Sequence, residues 1–571
     1  ISNYIRKNIR LNSTHKITKK ITFGQTLGYS REKNVGLGNT NSEFGGPLSS
    51  AINLDPLTPI VEKDPVLANQ SPYTNTGVIR DGNGNPYGIS SFVGQEMSNP
   101  LAYIQTRLGN YGWSDNFVGN AYLEVEPISG GKLAYWGGES FTPISYLNAS
   151  NIVAKNNISR NTNTGFGWNI ENIASYSKLI NSHNFSILVG QGTYVDNITS
   201  GSGVTYYNIP VTSYKDASFN YSVPKDQIDS YAFTGSEHIV TSLFSRLNYD
   251  YKEKYLLTGI IRRDGSSRFG SNNKYGTFPS FSLGWVASKE DFWKENEVIN
   301  QLKFRGGYGV TGNDAIGDFR YLATIGGGRN YTIGNSGSVT IGNSPNAPSN
   351  PDLKWEETSQ TNIGFDATLF NNINLSLDLY DKKTVGILQD VIIPGYVGST
   401  GNPVGNVADM QNKGIDLELG YRKQIGQVNM SVNANVSYLD NKVTYLGNGI
   451  DFLSGGQTIQ SSTYPITRVQ VGQPYNSFYG FKTEGIFQNQ TEINKYTNAD
   501  SGLIQPGAVP GDFRWKDVNG DGKITSDDRE FLGSPIPKYT FGFTINLDYK
   551  NFDLLVFAQG ASGNKLFQGL R

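Results

Sequence analysis

The sequence predicts an all-β protein, a transmembrane antiparallel β-barrel, and three observations carry that prediction. In TNIGFDATLFNNINLSLDLY, residues 361–380, Ile363, Phe365, Ala367 and Leu369 alternate with polar residues. Asn371 and Asn372 then turn the chain, and Ile373, Leu375, Leu377 and Leu379 alternate again. A hairpin with one apolar and one polar face follows from this period of two. Secondly, the pattern recurs at 415–422, 428–438 and 541–558, in segments of roughly 9 to 11 residues, the length a tilted strand needs to cross a bilayer. Thirdly, tiny turns alternate with loops of tens of residues, whereas soluble sandwiches use shorter strands of about 5 to 6 residues with regular turns.

Taken in order, segments near 15–30, 116–126, 164–177 and 183–192 read as strands, separated by loops rich in Gly, Asn, Ser and Thr. Leu243 to Tyr251 is a strand, Lys252 to Lys254 a turn, and Tyr255 to Arg262 the returning strand. After the loop DGSSRFGSNNKYGTFPS (264–280) a strand runs through Trp285. Ser288 followed by Asp291 has capping-box spacing and predicts a short helix in SKEDFWKENEV, before the strand from Leu302 to Tyr308. Counting crossings from there puts short turns at 252–254, 371–372, 423–427 and 550–551 on one side. Long loops at 264–277, 311–355, 382–411 and 440–538 all fall on the other. Outer-membrane barrels keep short turns periplasmic and long loops extracellular, so the loops are expected to carry recognition.

Composition agrees with a barrel and excludes several functions. Only 37% of the 571 residues are hydrophobic, and there is no apolar run of the roughly 18 residues a membrane-spanning helix requires. A barrel tolerates this because every second strand residue alone meets lipid. The absence of cysteine excludes disulfides and thiolate metal sites. His15, His183 and His238 are scattered, and 48 basic against 49 acidic residues give no electrostatic case for nucleic acid. Neither a catalytic constellation nor an organic cofactor site is legible, and no carboxylate pair marks a glycosidase. The opening ISNYIRKNIR lacks the pattern of a signal peptide, and the chain stops after GNKLFQGLR without a terminal strand. An open barrel would leave edge strands unpaired, so the expectation is an internal portion of a longer protein.

Five segments carry a family likeness. SRLNYDYKEKYLLTGIIRRDGSSRFGSNNKYGTFPSFSLGW (245–285), LKFRGGYGVTGND (302–314), NPDLKWEETSQTNIGFD (350–366), NKGIDLELGYR (412–422) and PGDFRWKDVNGDGKITSDDREFLGSPIPKYTFGF (510–543) resemble the SusC-like family of TonB-dependent outer-membrane transporters of Bacteroidetes. The matches keep their order over about residues 242–567. The resemblance implies a barrel of about 22 strands around an N-terminal plug, energised by TonB with ExbB and ExbD, set in membrane lipid and lipopolysaccharide, and lidded by a SusD-like lipoprotein. It also implies uptake of oligosaccharides, or in some members oligopeptides, and pairing of two transporter and lid units. Plug, TonB box and last strands lie outside these 571 residues.

Two motifs bear on chemistry. Residues 517–528, DVNGDGKITSDD, fit a calcium loop of EF-hand or dockerin type. Asp517, Asn519, Asp521 and Asp528 stand at positions 1, 3, 5 and 12, Lys523 supplies its carbonyl at position 7, and Gly522 at position 6 allows the sharp turn. Asp in place of Glu at position 12 reduces coordination there from two oxygens to one. The alternative is an acidic turn without metal; bound calcium would stiffen the 440–538 loop without touching substrate. Gly307, Gly309 and Gly312 spell G-x-G-x-x-G, but a dinucleotide site needs a helix opening there, and the residues sit at the end of a strand. The glycines are expected where that strand leaves the barrel rim. Loop aromatics Phe319, Tyr321, Tyr331 and Tyr396 are candidates for stacking on sugar rings, as are Tyr475, Phe478 and Tyr479. The functional expectation is TonB-driven oligosaccharide import; oligopeptide import by the same architecture and a non-transporting adhesin or scaffold are the alternatives, with a passive porin weaker still.

Overall fold

The computed structural model describes residues 3–18, 21–36, 46–93, 97–123, 131–148, 151–294, 297–332, 337, 339–391, 393–447, 449–455 and 465–568. The chain forms two compact units, residues 1–173 with 191–241, and residues 174–190 with 242–571.

In the first unit, β1 (Asn3–Thr18), β2 (Ile21–Val35), β3 (Tyr111–Leu123), β4 (Gly131–Thr142) and the first part of β5 (Asn157–Ile180) pair in that order, all antiparallel. The later part of β6 (His183–Tyr207) pairs with β7 (Ile228–Thr234). The single strand expected at 15–30 is therefore two strands of a hairpin. The first was hidden because Ile5, Ile9 and Leu11 share their face with Lys7, which breaks the apolar alternation. The expected strands at 164–177 and 183–192 are likewise only parts of β5 and β6. Between β2 and β3 lie short helices at Pro47–Asn53 and Pro100–Gln105, and Ala102 and Tyr103 of the second form a core with Leu147 from the segment after β4. The second helix starts where Asn99 accepts the N–H groups of Leu101 and Ala102, with Pro100 at its first position.

Besides residues 174–190 of β5 and β6, the second unit takes β8 (His238–Tyr251) from Ser242 and continues through β9 (Tyr255–Ser266), β10 (Tyr275–Val286), β11 (Ile299–Asn313), β12 (Glu356–Leu369), β13 (Ile373–Asp390), β14 (Val404–Ile425), β15 (Val428–Leu446), β16 (Tyr539–Tyr549) and β17 (Phe552–Ser562). From β9 onward each strand pairs antiparallel with the next. Left-handed backbone at Lys252 and Glu253, at Phe370 and Asn371, and at Lys550 makes the short turns. All of these lie at one end; the loops at 267–274, 314–355, 391–403 and 447–538 lie at the other.

One face of this ladder is apolar and open to its surroundings. Leu283 on β10, Ile363 on β12, Leu379 on β13 and Ile415 on β14 stand in one cross-strand row and are all exposed. The other face holds ions: Arg305 on β11 donates to both oxygens of Asp378 at 2.5 Å, to Asp366 at 3.1 Å and to Ser376 at 2.9 Å. The buried apolar residues instead gather among the loops. Phe269, Phe278, Leu353, Trp355 and Val404 form one cluster, and Ala408, Val443, Leu446 and Val469 another. A sheet that exposes its oily face and buries its loop bases is solvated by lipid on that oily face.

Three expectations need correction. The strands of this ladder reach 22 residues in β14, well beyond the expected lengths, so the loop predicted at 382–411 shrinks to 391–403 and that at 440–538 begins at 447. Past Leu379 and Ile415 both faces are polar, with Asp381 paired to Lys413 and Lys383 to Gln411, so the alternation stops while backbone pairing continues. No α-helix starts at Ser288 among the described residues of 288–298. A 3-10 turn, Ala287–Lys289, stands there, because Asp291 binds the Lys254 ammonium at 3.0 Å and Ser288 donates to the Leu302 carbonyl instead of capping. Gly307 and Gly309 lie inside β11, whereas Gly312 stands one residue from its end, past the point where pairing with β10 stops, and none of the three presents a helix N-terminus.

Candidate functional site

The long-loop end of the second unit holds every site residue singled out in the sequence. Its base is the Phe269 cluster, tied to the loops by ions. The Ser266 hydroxyl donates to Asp314 at 2.7 Å, Arg268 to Asp318 at 2.9 Å, and Arg320 to Asp390 at 2.6 Å. Asn350 donates to the Val404 carbonyl at 2.8 Å, and the Thr400 N–H reaches Pro345 O at 3.2 Å. The 314–355 and 391–403 loops are thus stitched to each other and to the strands beneath. None of these polar ties was assigned a role from sequence, although Arg268 lies in the quoted DGSSRFG segment.

The four aromatic candidates separate by environment. Tyr321 packs against the Phe269 cluster, with Phe319 beside it at 6.4 Å between ring centroids. Tyr331 is 72% and Tyr396 90% exposed, one on a two-residue strand and the other on a 3-10 turn. The structure therefore puts Tyr321 in the loop packing, leaves Phe319 beside it but 40% exposed, and leaves Tyr331 and Tyr396 as open rings. Tyr475 packs on the second cluster and receives a bond from Gln389 at 3.2 Å. Phe478 and Tyr479 belong to the strand Ser477–Phe481 of a four-stranded loop sheet, where Arg468 lies 3.6 Å over the Tyr479 ring.

The acidic loop is a densely hydrogen-bonded polar cluster of this end. Oxygens of Asp517, Asp521 and Asp528 lie within 4.8 Å of one another. Asp517 accepts from the Gly520 and Gly522 N–H groups at 2.7 and 2.8 Å, and Asp521 from Lys523 N–H at 2.9 Å. Asn519 turns its Oδ1 to the Asp521 N–H at 2.9 Å and donates from Nδ2 to Asp521 at 3.1 Å. Gly522 has φ +77°, which a side chain would strain. Asp528 is fully buried and accepts from Val518 and Thr525 N–H at 2.8 and 2.7 Å. Burial by itself would raise its carboxyl, but the N–H groups of Thr525, Val518 and Asn519 outweigh that and hold it below the ordinary value. The sequence reading missed Thr525, which forms a capping box with Asp528 at the turn Ser526–Asp528; the T-x-x-D spacing was its signal. Three anionic carboxylates, an amide oxygen and a sharp glycine turn fit a hard divalent cation by donor chemistry.

Long antiparallel strands with an exposed apolar face, short turns at one end and packed loops at the other define an integral membrane β-barrel protein. The chain belongs to the family described as TonB dependent receptor-like, beta-barrel, whose model matches residues 23–564. Among its relatives it is SusC-like. TonB-dependent receptor P26 of Formosa agariphila is 32% identical over 86% of this chain and 49% of its own length. TonB-dependent receptor SusC of Bacteroides thetaiotaomicron is 27% identical over 93% of this chain and 51% of its own. The chain thus spans about half the length of these relatives. The RagAB peptide importer in its closed-closed state superposes with a TM-score of 0.75 at 22% identity, covering 99% of this chain and 58% of that one, which shows the shared fold. Membership places this barrel in the outer membrane of a Gram-negative bacterium.

Proposed function

We propose that the parent protein imports oligosaccharides across the outer membrane of a member of the Bacteroidetes, driven by TonB with ExbB and ExbD. A SusD-like lipoprotein lids the long loops, which face outward, and transporter and lid units pair. The observation that carries the sugar assignment is the pair of largely exposed loop rings, Tyr331 and Tyr396, above the packed Phe269 cluster. Flat exposed aromatics suit the C–H faces of sugars. Anchoring of the loops by Arg268, Arg320 and the Phe269 cluster supports recognition there, since a binding loop must be held by a rigid base.

Asp517, Asn519, Asp521, the Lys523 carbonyl and Asp528 would hold calcium in a structural role. The ion would offset the repulsion of three clustered carboxylates and stiffen the 447–538 loop. No transport step passes through it.

Mass spectrometry of small molecules released from the protein purified with its partners tests the sugar assignment. Oligosaccharide is the expected product. Released peptides would move the assignment to oligopeptide import, and an intact complex with no TonB-driven uptake in cells would leave an adhesin or scaffold. Proteolysis of intact cells within 447–538 tests the outward orientation.

A further inference from the structure

We propose that Lys7, Arg31 and Lys33, on the apolar face of the first unit, bind the phosphate groups of a membrane lipid at the margin of the hydrocarbon. The register sets these side chains on one face in successive rows. Leu11, Leu27 and Gly119 form one row, Ile9, Tyr29 and Phe117 the next, then Lys7, Arg31 and Asp115, then Ile5, Lys33 and Trp113. The rows advance from the hairpin at 19–20 toward the long loop between β2 and β3. Ile9, Leu11, Tyr29 and Phe117 are exposed, so the cations follow directly on an oily surface. The opposite face differs: it carries Arg6 paired to Glu32 at 3.3 Å, with Asn8, Asn12 and Ser114.

Asp115 is the single acid in the two cationic rows of β1, β2 and β3. Arg31 is 3.9 Å from it, and the Tyr29 hydroxyl already donates to it at 2.6 Å. Lys33 lies 4.7 Å over the Tyr111 ring and Lys7 has no ion pair among the described residues. Beyond them, Glu139 is taken by Arg160, so it does not cancel the excess. The cluster carries two uncompensated positive charges where the chain passes from oil to water. Cations at that level attract anionic headgroups, and aromatic rings beside them sit at the interface. A free anion would leave the Ile9 and Leu11 rows wet; a phosphorylated lipid covers them with acyl chain and meets the cations with its headgroup.

The proposal rests on the outer-membrane reading, and its test does not depend on which side the loops face. The complete protein in detergent is titrated with diphosphorylated lipid A and bound lipid is counted by native mass spectrometry. Dephosphorylated lipid A and inorganic phosphate are run in parallel. In the triple variant Lys7→Gln, Arg31→Gln, Lys33→Gln, binding of the phosphorylated lipid is expected to weaken by at least about tenfold. Arg10→Gln, on the opposite face, should bind like the parent. An unchanged triple variant, equal loss in Arg10→Gln, equal binding of dephosphorylated lipid, or displacement by millimolar inorganic phosphate would each overturn the proposal. A heat-dependent gel shift equal to the parent's shows that each variant is folded. Failure of the protein to insert into bilayers would instead reject the membrane reading.

Discussion

A methyl group on Gly312 would overlap the ring of Phe278, which belongs to the Phe269 and Trp355 cluster under the long loops. The missing side chain on β11 therefore makes room for the aromatic base of the loops. Gly312→Val is expected to push Phe278 out and destabilise by roughly 1–3 kcal/mol, the usual cost of overpacking. The change should be seen as faster proteolysis within 314–355. Unchanged cleavage and unfolding temperature would refute the role given to this contact.

Asp528→Ala removes the acceptor of the Val518 and Thr525 N–H groups. Leaving such buried donors unpaired costs on the order of 1–3 kcal/mol. Calcium measured by elemental analysis should fall, and cleavage within 510–530 should accelerate while the barrel stays assembled. If calcium content stays the same in this variant and in Asp517→Ala, the metal assignment fails.

Tyr396→Ala and Tyr331→Ala remove exposed rings, so unfolding should move by no more than about 0.5 kcal/mol. Ligand affinity should drop for at least one of them. Tyr321→Ala removes a ring packed on the Phe269 cluster and should lower stability, with any affinity loss following from the loop. Titration calorimetry beside thermal unfolding separates the two cases; full affinity in both exposed-ring variants would remove the sugar-stacking argument.

Asp55 ties its own loop. The Ser90 hydroxyl donates to it at 2.5 Å and the Thr58 hydroxyl at 2.7 Å. These bonds, with the Thr58 and Leu57 N–H groups, outweigh burial and pull the carboxyl down to about 2. A carboxylate with a depressed folded pKa adds stability above its unfolded value of about 3.9 and loses it as pH falls toward 2. Proteolysis of the 54–93 loop by an acid protease should rise between pH 4 and pH 2. Ser90→Ala should shift that rise to higher pH, and a profile identical to the parent's would contradict the assignment.

Alternation of Ile363 to Leu379, Ile415 to Tyr421 and Val428 to Tyr438 determined the strands, their faces and the end at which turns are short. A period of two against an apolar medium leaves few other solutions. The acidic cluster was legible for a similar reason, since its carboxylates lie within twelve consecutive residues and Gly522 marks the turn. Signal was lost where neighbours decide. Lys7 among Ile5, Ile9 and Leu11 disguised the first strand, and the polar rows beyond Leu379 and Ile415 disguised the strand ends. Ser288 and Asp291 had helix-start spacing, yet Lys254, 37 residues from Asp291, took the carboxylate. Only tertiary structure separated Tyr321 in a loop core from Tyr396 in the open, brought Arg268 to Asp318, and lined up three cations on the oily face. These pairings join residues far apart in the chain, and their energies depend on cross-strand register and burial that no local pattern encodes.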